Sequence, residues 1–126
     1  MIKFDLSKKV AVITGGAQGF GLAITERFIQ SGAEVIIWDI DEVAVKKAQE
    51  KINSSNLTYQ LVDVSNYESI KKNLKLIENK LGKIDIFINN AGIAGMNTTV
   101  AEYPIEEWNK IINLNLNSVF YCCKAV

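Results

Sequence analysis

Three glycines near the start of the chain are spaced for the binding of a phosphate group. Gly15, Gly19 and Gly21 follow an apolar run and begin a helix-like stretch, with Gln18 and Phe20 between them. Glycine at these positions allows a sharp turn after a strand, a close approach of the backbone to a pyrophosphate, and tight packing of the helix on the sheet. Because free N–H groups at a helix start attract anions, the pattern predicts a dinucleotide-phosphate site.

A carboxylate ends the next apolar run. Asp39 lies eighteen residues beyond Gly21, a position from which a carboxylate can accept hydrogen bonds from the ribose hydroxyls of an adenosine. A 2′-phosphate in the same place would meet like charge, and neither Gln18 nor Ile40 is basic. The sequence therefore predicts NAD as the cofactor in preference to NADP. The alternative interpretation is a helix N-cap or turn aspartate, a role that Asp41 could also fill.

Polar residues also end two later apolar runs. Asp63 and Val64 close the third run and could line an adenine pocket, although a strand-end cap explains Asp63 equally well. The fourth run ends in Asn89–Gly92. Its two amides can hold strand ends by side-chain to backbone hydrogen bonds, and Ala91 and Gly92 are small enough to let a ribose pass. Taken alone, this segment is a turn signal.

Strand-like runs alternate with helical patterns along the chain and explain how these residues come together. The predicted strands are Val10–Thr14, Val35–Asp39, Leu57–Asp63 and Ile84–Asn89. Helix-length connections between them predict right-handed crossovers and a parallel sheet covered on both faces. The expected fold class is α/β, a Rossmann-type doubly wound sheet of about four strands in the order 3-2-1-4. Ligands of such sheets bind at the carboxyl ends of the strands.

Four helices are predicted between and after these strands. The first includes Leu22–Phe28 and is closed by Gly32; the others are Asp41–Ile52, Ser65–Leu81 and a last helix from Pro104 to Val126. Ser65 and Glu68 have the spacing of a capping box at the start of the third. The apolar positions of the last helix are spaced for a core: Trp108, Ile111, Ile112, Leu116 and Val119. The irregular segment Ala91–Tyr103 follows the fourth strand.

The amino-acid composition argues against a membrane-spanning, nucleic-acid-binding or metal-binding protein. The 126 residues are 48% apolar and 22% charged, as expected for one soluble domain spanning 1–126. No apolar run approaches the roughly 18 residues needed to cross a bilayer, and the start lacks a secretory signal, so we expect a cytoplasmic protein. Basic and acidic residues number 14 each and are scattered, which argues against nucleic-acid binding. Cys122 and Cys123 are adjacent and histidine is absent, so no metal site is expected.

Taken together, the motifs resemble those of the short-chain dehydrogenase/reductase family, and in particular the 3-oxoacyl carrier-protein reductases and related sugar or alcohol dehydrogenases. The resemblance extends from about Leu6 to Val126. It is carried by Thr14-Gly15-x-x-x-Gly19-x-Gly21, Asp39, Asp63-Val64, Asn89-Asn90-Ala91-Gly92, and Trp108 followed by Asn113-Leu114-Asn115-Leu116. Each motif is modest alone, but five in this order and at these separations are specific.

The resemblance implies hydride transfer between NAD(H) and an alcohol or ketone. It implies adenine contacts for Asp63 and Val64, a ribose contact for Asp39, and nicotinamide-ribose contacts for Asn90 and Gly92. Asn115 would help hold a proton-relay water near the family's catalytic lysine. The expected cofactor-binding residues are Gly15, Gln18, Gly19, Phe20, Gly21, Asp39, Ile40, Asp63, Val64, Asn90, Ala91 and Gly92, with Asn115 as the one catalytic-site residue.

The family's catalytic serine and Tyr-x-x-x-Lys motif are expected on a fifth strand and the helix after it. The chain ends before them, so we expect an amino-terminal, cofactor-binding half, and whether it is itself an enzyme stays open. Tyr67 and Lys71 have the motif's spacing, but they open the third helix at the adenine end and are not expected to be catalytic. The alternatives are an inactive NAD-binding module and a non-binding structural fragment. The unprotected fourth strand predicts a homo-oligomer.

Overall fold

Four parallel strands form the sheet in the computed structural model, which describes residues 2–126. Met1, the first residue of the predicted domain 1–126, lies outside the described residues. The strands are β1 (Val10–Thr14), β2 (Glu34–Asp39), β3 (Leu57–Leu61) and β4 (Ile86–Ile88), in the order β3-β2-β1-β4. The predicted fold class and strand order are confirmed.

Helices connect and follow the strands. They are α1 (Gly19–Gln30), α2 (Glu42–Ile52), α3 (Tyr67–Leu81), α4 (Ile105–Ile112) and α5 (Ser118–Ala125), with a 3₁₀ turn at Val100–Glu102 and a π-helical turn at Asn113–Asn117. Gly32 and Gly82 follow α1 and α3 with φ of +93° and +77°, a backbone conformation in which glycine readily ends a helix. No helix within residues 2–126 has the length and apolar character needed to span a bilayer.

The sheet has an apolar layer on each face. Val12 and Trp38 belong to the layer that includes α3 and α5, and Ile13 and Ile37 belong to the layer that includes α2. Trp38 is 1% exposed, and its indole N–H donates to Gln60 Oε1 at 2.7 Å. Strand β1 is buried along its whole length, as expected for a central strand of a doubly covered parallel sheet.

The start of α3 differs from the prediction. The helix begins at Tyr67 and its N-cap is Asn66, whose side chain accepts a hydrogen bond from Ser69 N at 3.0 Å. The capping box predicted for Ser65 and Glu68 is therefore wrong. The Ser65 hydroxyl instead donates to Asp63 Oδ1 at 2.6 Å, because the chain makes a tight turn after β3.

Strands β3 and β4 are shorter than predicted. β3 ends at Leu61, two residues before Asp63, and β4 includes neither Ile84 nor Asp85. The Asp85 carboxylate accepts a hydrogen bond from Val10 N at 2.8 Å and pairs with Lys83 Nζ at 2.9 Å. These contacts hold the pKa of Asp85 below its ordinary value. A side chain thus takes the place of a main-chain partner where β4 meets β1.

The last predicted helix is interrupted by the π turn. Trp108 and Leu116 were expected in the core but are 58% and 62% exposed. A π turn inserts a residue and rotates the face that follows, so that Ser118 and Cys122 are the buried residues of α5. Trp108 contacts the Tyr103 ring edge-on, with ring centroids 6.3 Å apart. The predicted core face of this helix is wrong at both positions; Leu116 lies within the π turn, whereas Trp108 precedes it in α4.

Candidate functional site

A cleft of about 440 Å³ lies at the carboxyl ends of the strands. Ten of the twelve residues expected to bind a cofactor line it: Gly15, Gln18, Gly19, Asp39, Ile40, Asp63, Val64, Asn90, Ala91 and Gly92. Phe20 and Gly21 are not among its lining residues. Phe20 is 86% exposed in the first turn of α1, whereas Gly21 is buried beneath the loop.

The glycine loop forms a cradle at the start of α1. Gly15 has a φ of +62°, and its N–H donates to Trp38 O at 2.7 Å. A Cβ on Gly21 would overlap the carbonyl oxygen of Gly15, whereas a Cβ on Gly19 would meet no atom within 4 Å. The N-cap of α1, Gln18, makes no side-chain cap hydrogen bond. The helix start is therefore uncapped and faces open space, which suits an anionic group.

Asp39 lies beside the cradle, at the end of β2. Its carboxylate accepts hydrogen bonds from Ala17 N at 3.4 Å and from Asp41 N at 3.1 Å. Asp41 is the N-cap of α2, accepting from Ala44 N at 3.0 Å, so the capping role considered for both aspartates belongs to Asp41. Asp39 does not cap a helix; its hydrogen bond from Asp41 N is the turn role considered for it, and it also lines the cleft.

The charge of the cleft wall is negative. Its described lining residues include the carboxylates Asp39, Asp41 and Asp63 and no lysine or arginine. Asp63 accepts hydrogen bonds from the Ser65 N–H at 2.9 Å and from the Ser65 hydroxyl. Asp63 therefore does close the turn after β3, the alternative role considered for it, while it also lines the cleft. Coulomb repulsion makes this wall unfavourable to an anionic group placed close to these carboxylates.

A hydrogen-bond network joins the end of β4 to the glycine loop. The Thr14 hydroxyl accepts hydrogen bonds from Asn90 N and Ala91 N, both at 2.9 Å, and donates to Ile88 O at 3.3 Å. The Asn90 amide donates to Thr14 O and Gly15 O, both at 3.1 Å. Sequence reasoning missed the role of Thr14, and the signal was its place directly before Gly15 at the end of a buried strand.

Asn115 holds the chain just beyond the cleft. Its Oδ1 accepts from Ile93 N at 2.8 Å, and its Nδ2 donates to Ile93 O at 2.7 Å. Ile93 lines the cleft beside Gly92. Both ends of the Asn115 amide are therefore used on the backbone of Ile93, so the side chain acts on the cleft through that residue.

The other groups considered in the sequence lie away from the cleft lining. The Lys71 ammonium lies 5.1 Å from the centroid of the Tyr67 ring and pairs with Glu68 at 3.1 Å. Burial, followed by the neighbouring Cys123, raises the pKa of the Cys122 thiol to about 12. Cys123 is exposed, and its sulfur accepts a hydrogen bond from Asn89 Nδ2 at 3.7 Å.

Comparison with known proteins gives a consistent family. A model of the short chain dehydrogenase family matches residues 9–126. A probable NADP-dependent mannitol dehydrogenase of Yarrowia lipolytica is 39% identical, over 98% of this chain and 46% of that protein. A 2-dehydro-3-deoxy-L-rhamnonate dehydrogenase (NAD(+)) of Sphingomonas is 35% identical, over 94% of this chain and 47% of that protein.

The comparison with solved structures gives the same family. A 3-ketoacyl-(acyl-carrier-protein) reductase from Brucella melitensis, complexed with NADH, superposes with a TM-score of 0.89 at 30% identity. The match covers 95% of this chain and 49% of that one. The chain thus spans about half the length of the relatives it matches.

Proposed function

The chain belongs to the short-chain dehydrogenase family, and from that premise we propose that its cleft binds NAD in preference to NADP, as the cofactor-binding part of an oxidoreductase. The observation that carries the proposal is the Asp39 carboxylate in a cleft wall that has no lysine or arginine among its described residues. Related proteins are named for either cofactor, so the preference has to come from this chain's own residues.

The proposed roles follow the length of the dinucleotide. The uncapped start of α1 and the space over Gly19 would receive the pyrophosphate, and Asp39 would accept hydrogen bonds from the adenosine ribose. Ile40, Asp63 and Val64 would surround the adenine. Asn90, Ala91 and Gly92 would border the nicotinamide ribose, and Asn115 would hold the wall beyond them.

The proposed reaction is hydride transfer between NAD(H) and an alcohol or ketone. The nicotinamide, when bound, supplies or accepts the hydride. This chain's residues orient the cofactor at the strand ends, and a small-molecule substrate would approach the nicotinamide end. The relatives' names include a 3-oxoacyl-[acyl-carrier-protein] reductase and a mannitol dehydrogenase, so the proposal covers the reaction type and not a particular substrate.

Calorimetric titration with NAD and NADP tests the cofactor preference. We expect tighter binding of NAD, and we expect Asp39→Ala to weaken NAD by about 1.5–3 kcal/mol because charge-assisted hydrogen bonds are lost. Asp5→Ala is the matched control, since Asp5 accepts its hydrogen bond from Ser7 N at 2.9 Å, away from the cleft lining. Equal affinity of the unmutated chain for the two cofactors would contradict the preference.

A second candidate function is an NAD-binding module without turnover. It is favoured by the described cleft lining, which includes no tyrosine or lysine that could act as a proton donor. We expect no NADH formation by the 126-residue chain with a panel of alcohols and NAD. Turnover that disappears in Tyr67→Phe would assign catalysis to Tyr67 and Lys71 instead. Failure to bind any dinucleotide would leave the non-binding structural fragment.

We further propose that the chain forms a homo-oligomer. All three residues of β4 are only partly buried, and Leu116 and Phe120 are each 62% exposed on the last helical segment. An exposed apolar strand edge is a template for pairing with another chain. Sedimentation should therefore show self-association at tens of micromolar, and a monodisperse monomer would contradict it.

A further inference from the structure

The segment Ile93–Met96 leaves the cleft and is held at both ends by side chains from later in the chain. Asn115 pairs with both main-chain groups of Ile93. At the other end, the Tyr103 hydroxyl accepts a hydrogen bond from Met96 N at 3.1 Å. A segment without regular secondary structure thus has a fixed point on each side of Gly95.

Gly95 brings the main chain of the segment Ile93–Met96 close to Tyr103. Its φ is +78°, and a Cβ there would overlap both the Tyr103 hydroxyl and Ile111 Cδ1. The Tyr103 ring is itself oriented by its edge-on contact with Trp108, at an interplanar angle of 89°. The main chain at Gly95 therefore lies directly against the phenol that binds Met96.

The position of this segment matters because Ile93 lines the cleft beside Gly92. That is the end at which the nicotinamide would lie under the proposed function. We propose that Tyr103 is a positioning residue: its hydroxyl fixes Met96, and through Gly95 this keeps Ile93 in the wall that contacts the nicotinamide ring. The inference rests on the proposed binding of NAD and adds a residue that determines how tightly its nicotinamide end is held.

A positioning role for Tyr103 can be distinguished from a purely structural one by comparing two ligands. ADP-ribose shares the adenosine, pyrophosphate and terminal ribose of NAD and lacks only the nicotinamide. Loss of a wall at the nicotinamide end changes the affinity for NAD and leaves the affinity for ADP-ribose unchanged, whereas general loosening of the fold weakens both. The ratio of the two affinities therefore separates positioning from stability.

The experiment is calorimetric titration of the 126-residue chain with NAD and with ADP-ribose. Tyr103→Phe keeps the ring and removes the hydroxyl, and we expect NAD to bind about threefold to tenfold more weakly, the scale of one hydrogen bond. ADP-ribose should bind within about twofold of the unmutated chain. Tyr121→Phe is the matched control, because Tyr121 packs on the Tyr67 ring, 5.8 Å between centroids, away from this segment.

Gly95→Ala is a second variant that retains the Tyr103 hydroxyl, and its Cβ would displace the segment by overlap with that hydroxyl and with Ile111 Cδ1. It should also weaken NAD more than ADP-ribose. Equal losses for the two ligands, or no loss in either variant, would overturn the role of Tyr103 while leaving cofactor binding in place. If the unmutated chain binds neither ligand, the proposed function fails, and the positioning role fails with it.

Discussion

The two walls of the cleft are held in place by different forces. On the side of β1 and β2, the strands are almost wholly buried, and the glycine loop is shaped by close contact between Gly15 and Gly21. On the side of β4 and the last helices, the strand is only partly buried. There, side-chain hydrogen bonds from Thr14, Asn115 and Tyr103 fix the backbone.

This difference predicts which kinds of change each wall tolerates. A close-packed wall responds to added volume, because interiors have little room to relax. A wall held by single hydrogen bonds responds to the loss of individual polar atoms, because each hydrogen bond contributes about 0.5–1.5 kcal/mol net. Each of the following predictions tests one side of that contrast.

The largest effect is expected from Gly21→Ala in the packed wall. Its Cβ would overlap the Gly15 carbonyl oxygen, and overpacking of this kind costs about 1–3 kcal/mol or more. Because the overlap displaces the glycine loop itself, we expect NAD to bind about 100-fold more weakly, a loss of about 2.7 kcal/mol. Calorimetric titration measures it.

Gly82→Ala is the control for that change. Gly82 ends α3 with a positive φ of +77°, and a Cβ there meets no atom within 4 Å. It should lower stability by up to about 1 kcal/mol through backbone strain and leave NAD affinity unchanged. If Gly21→Ala behaves like Gly82→Ala, close packing does not shape the loop.

The next effect is expected from Thr14→Val, which removes the hydroxyl that binds the end of β4 in the hydrogen-bonded wall. Thr14 is 2% exposed, and valine keeps its volume but cannot accept from Asn90 N and Ala91 N. Leaving these donors without a partner should destabilise the fold by about 1–3 kcal/mol, measured by urea unfolding. Thr14→Ser keeps the hydroxyl and should retain most of that stability. A Thr14→Val variant as stable as the unmutated chain would show that the hydroxyl does not matter there.

A smaller effect is expected on acidification, at the start of β4. The pKa of Asp85 is lowered in the folded state, first by the hydrogen bond from Val10 N and then by Lys83. A lowered folded pKa gives stability above the unfolded pKa of about 3.9, and that stability is lost as pH falls through the folded value. The melting temperature should therefore decrease as the pH is lowered below about 4.

Asp85→Asn isolates that contribution. The variant should have a lower melting temperature at neutral pH and a shallower decrease in acid, because it cannot titrate. Lys3→Ala, a change of charge elsewhere on the surface, should keep the full acid dependence. Parallel pH profiles for Asp85→Asn and the unmutated chain would contradict the assignment.

The last prediction concerns the reactivity of the two cysteine thiols of α5 and involves no change to the fold. Burial keeps the Cys122 thiol un-ionised near neutral pH, with a pKa of about 12, and the reactive species of cysteine is the thiolate. Only Cys123 should react with iodoacetamide in the folded chain, and both cysteines after unfolding, as counted by mass spectrometry. Rapid labelling of Cys122 would show that α5 packs more loosely than β1 and β2.

The packed wall was largely predictable from the sequence. Strand order and most cleft residues follow from glycines and carboxylates placed at the ends of apolar runs, since parallel strands bring those ends to one edge. The hydrogen-bonded wall was less predictable from the sequence. An unbroken helical pattern from Pro104 to Val126 gave no sign of the π turn, and Ser65 and Asn66 are equally good caps by residue type.

The contact between Tyr103 and Met96 could not be predicted for a different reason. It joins two points of an irregular segment, where neither a period of 3.6 nor a period of 2 constrains which atoms meet. Thr14 was predictable only in part. Its burial was implied by the strand pattern, but its hydrogen bonds to Asn90 and Ala91 depend on the register between β1 and β4. Local pattern therefore gives the elements, and their exact fit decides the polar contacts.

The two tryptophans give the molecule a built-in optical readout of both walls. Trp38 is 1% exposed in the packed wall, and Trp108 is 58% exposed beside the hydrogen-bonded one. A dry indole emits at shorter wavelength than a hydrated one, so the emission spectrum is a sum of a blue and a red component. Trp38 also lines the cleft, so its emission would report on a ligand bound there. Loosening of the packed wall would thus change the shorter-wavelength emission, and loosening of the hydrogen-bonded wall would change the longer-wavelength emission.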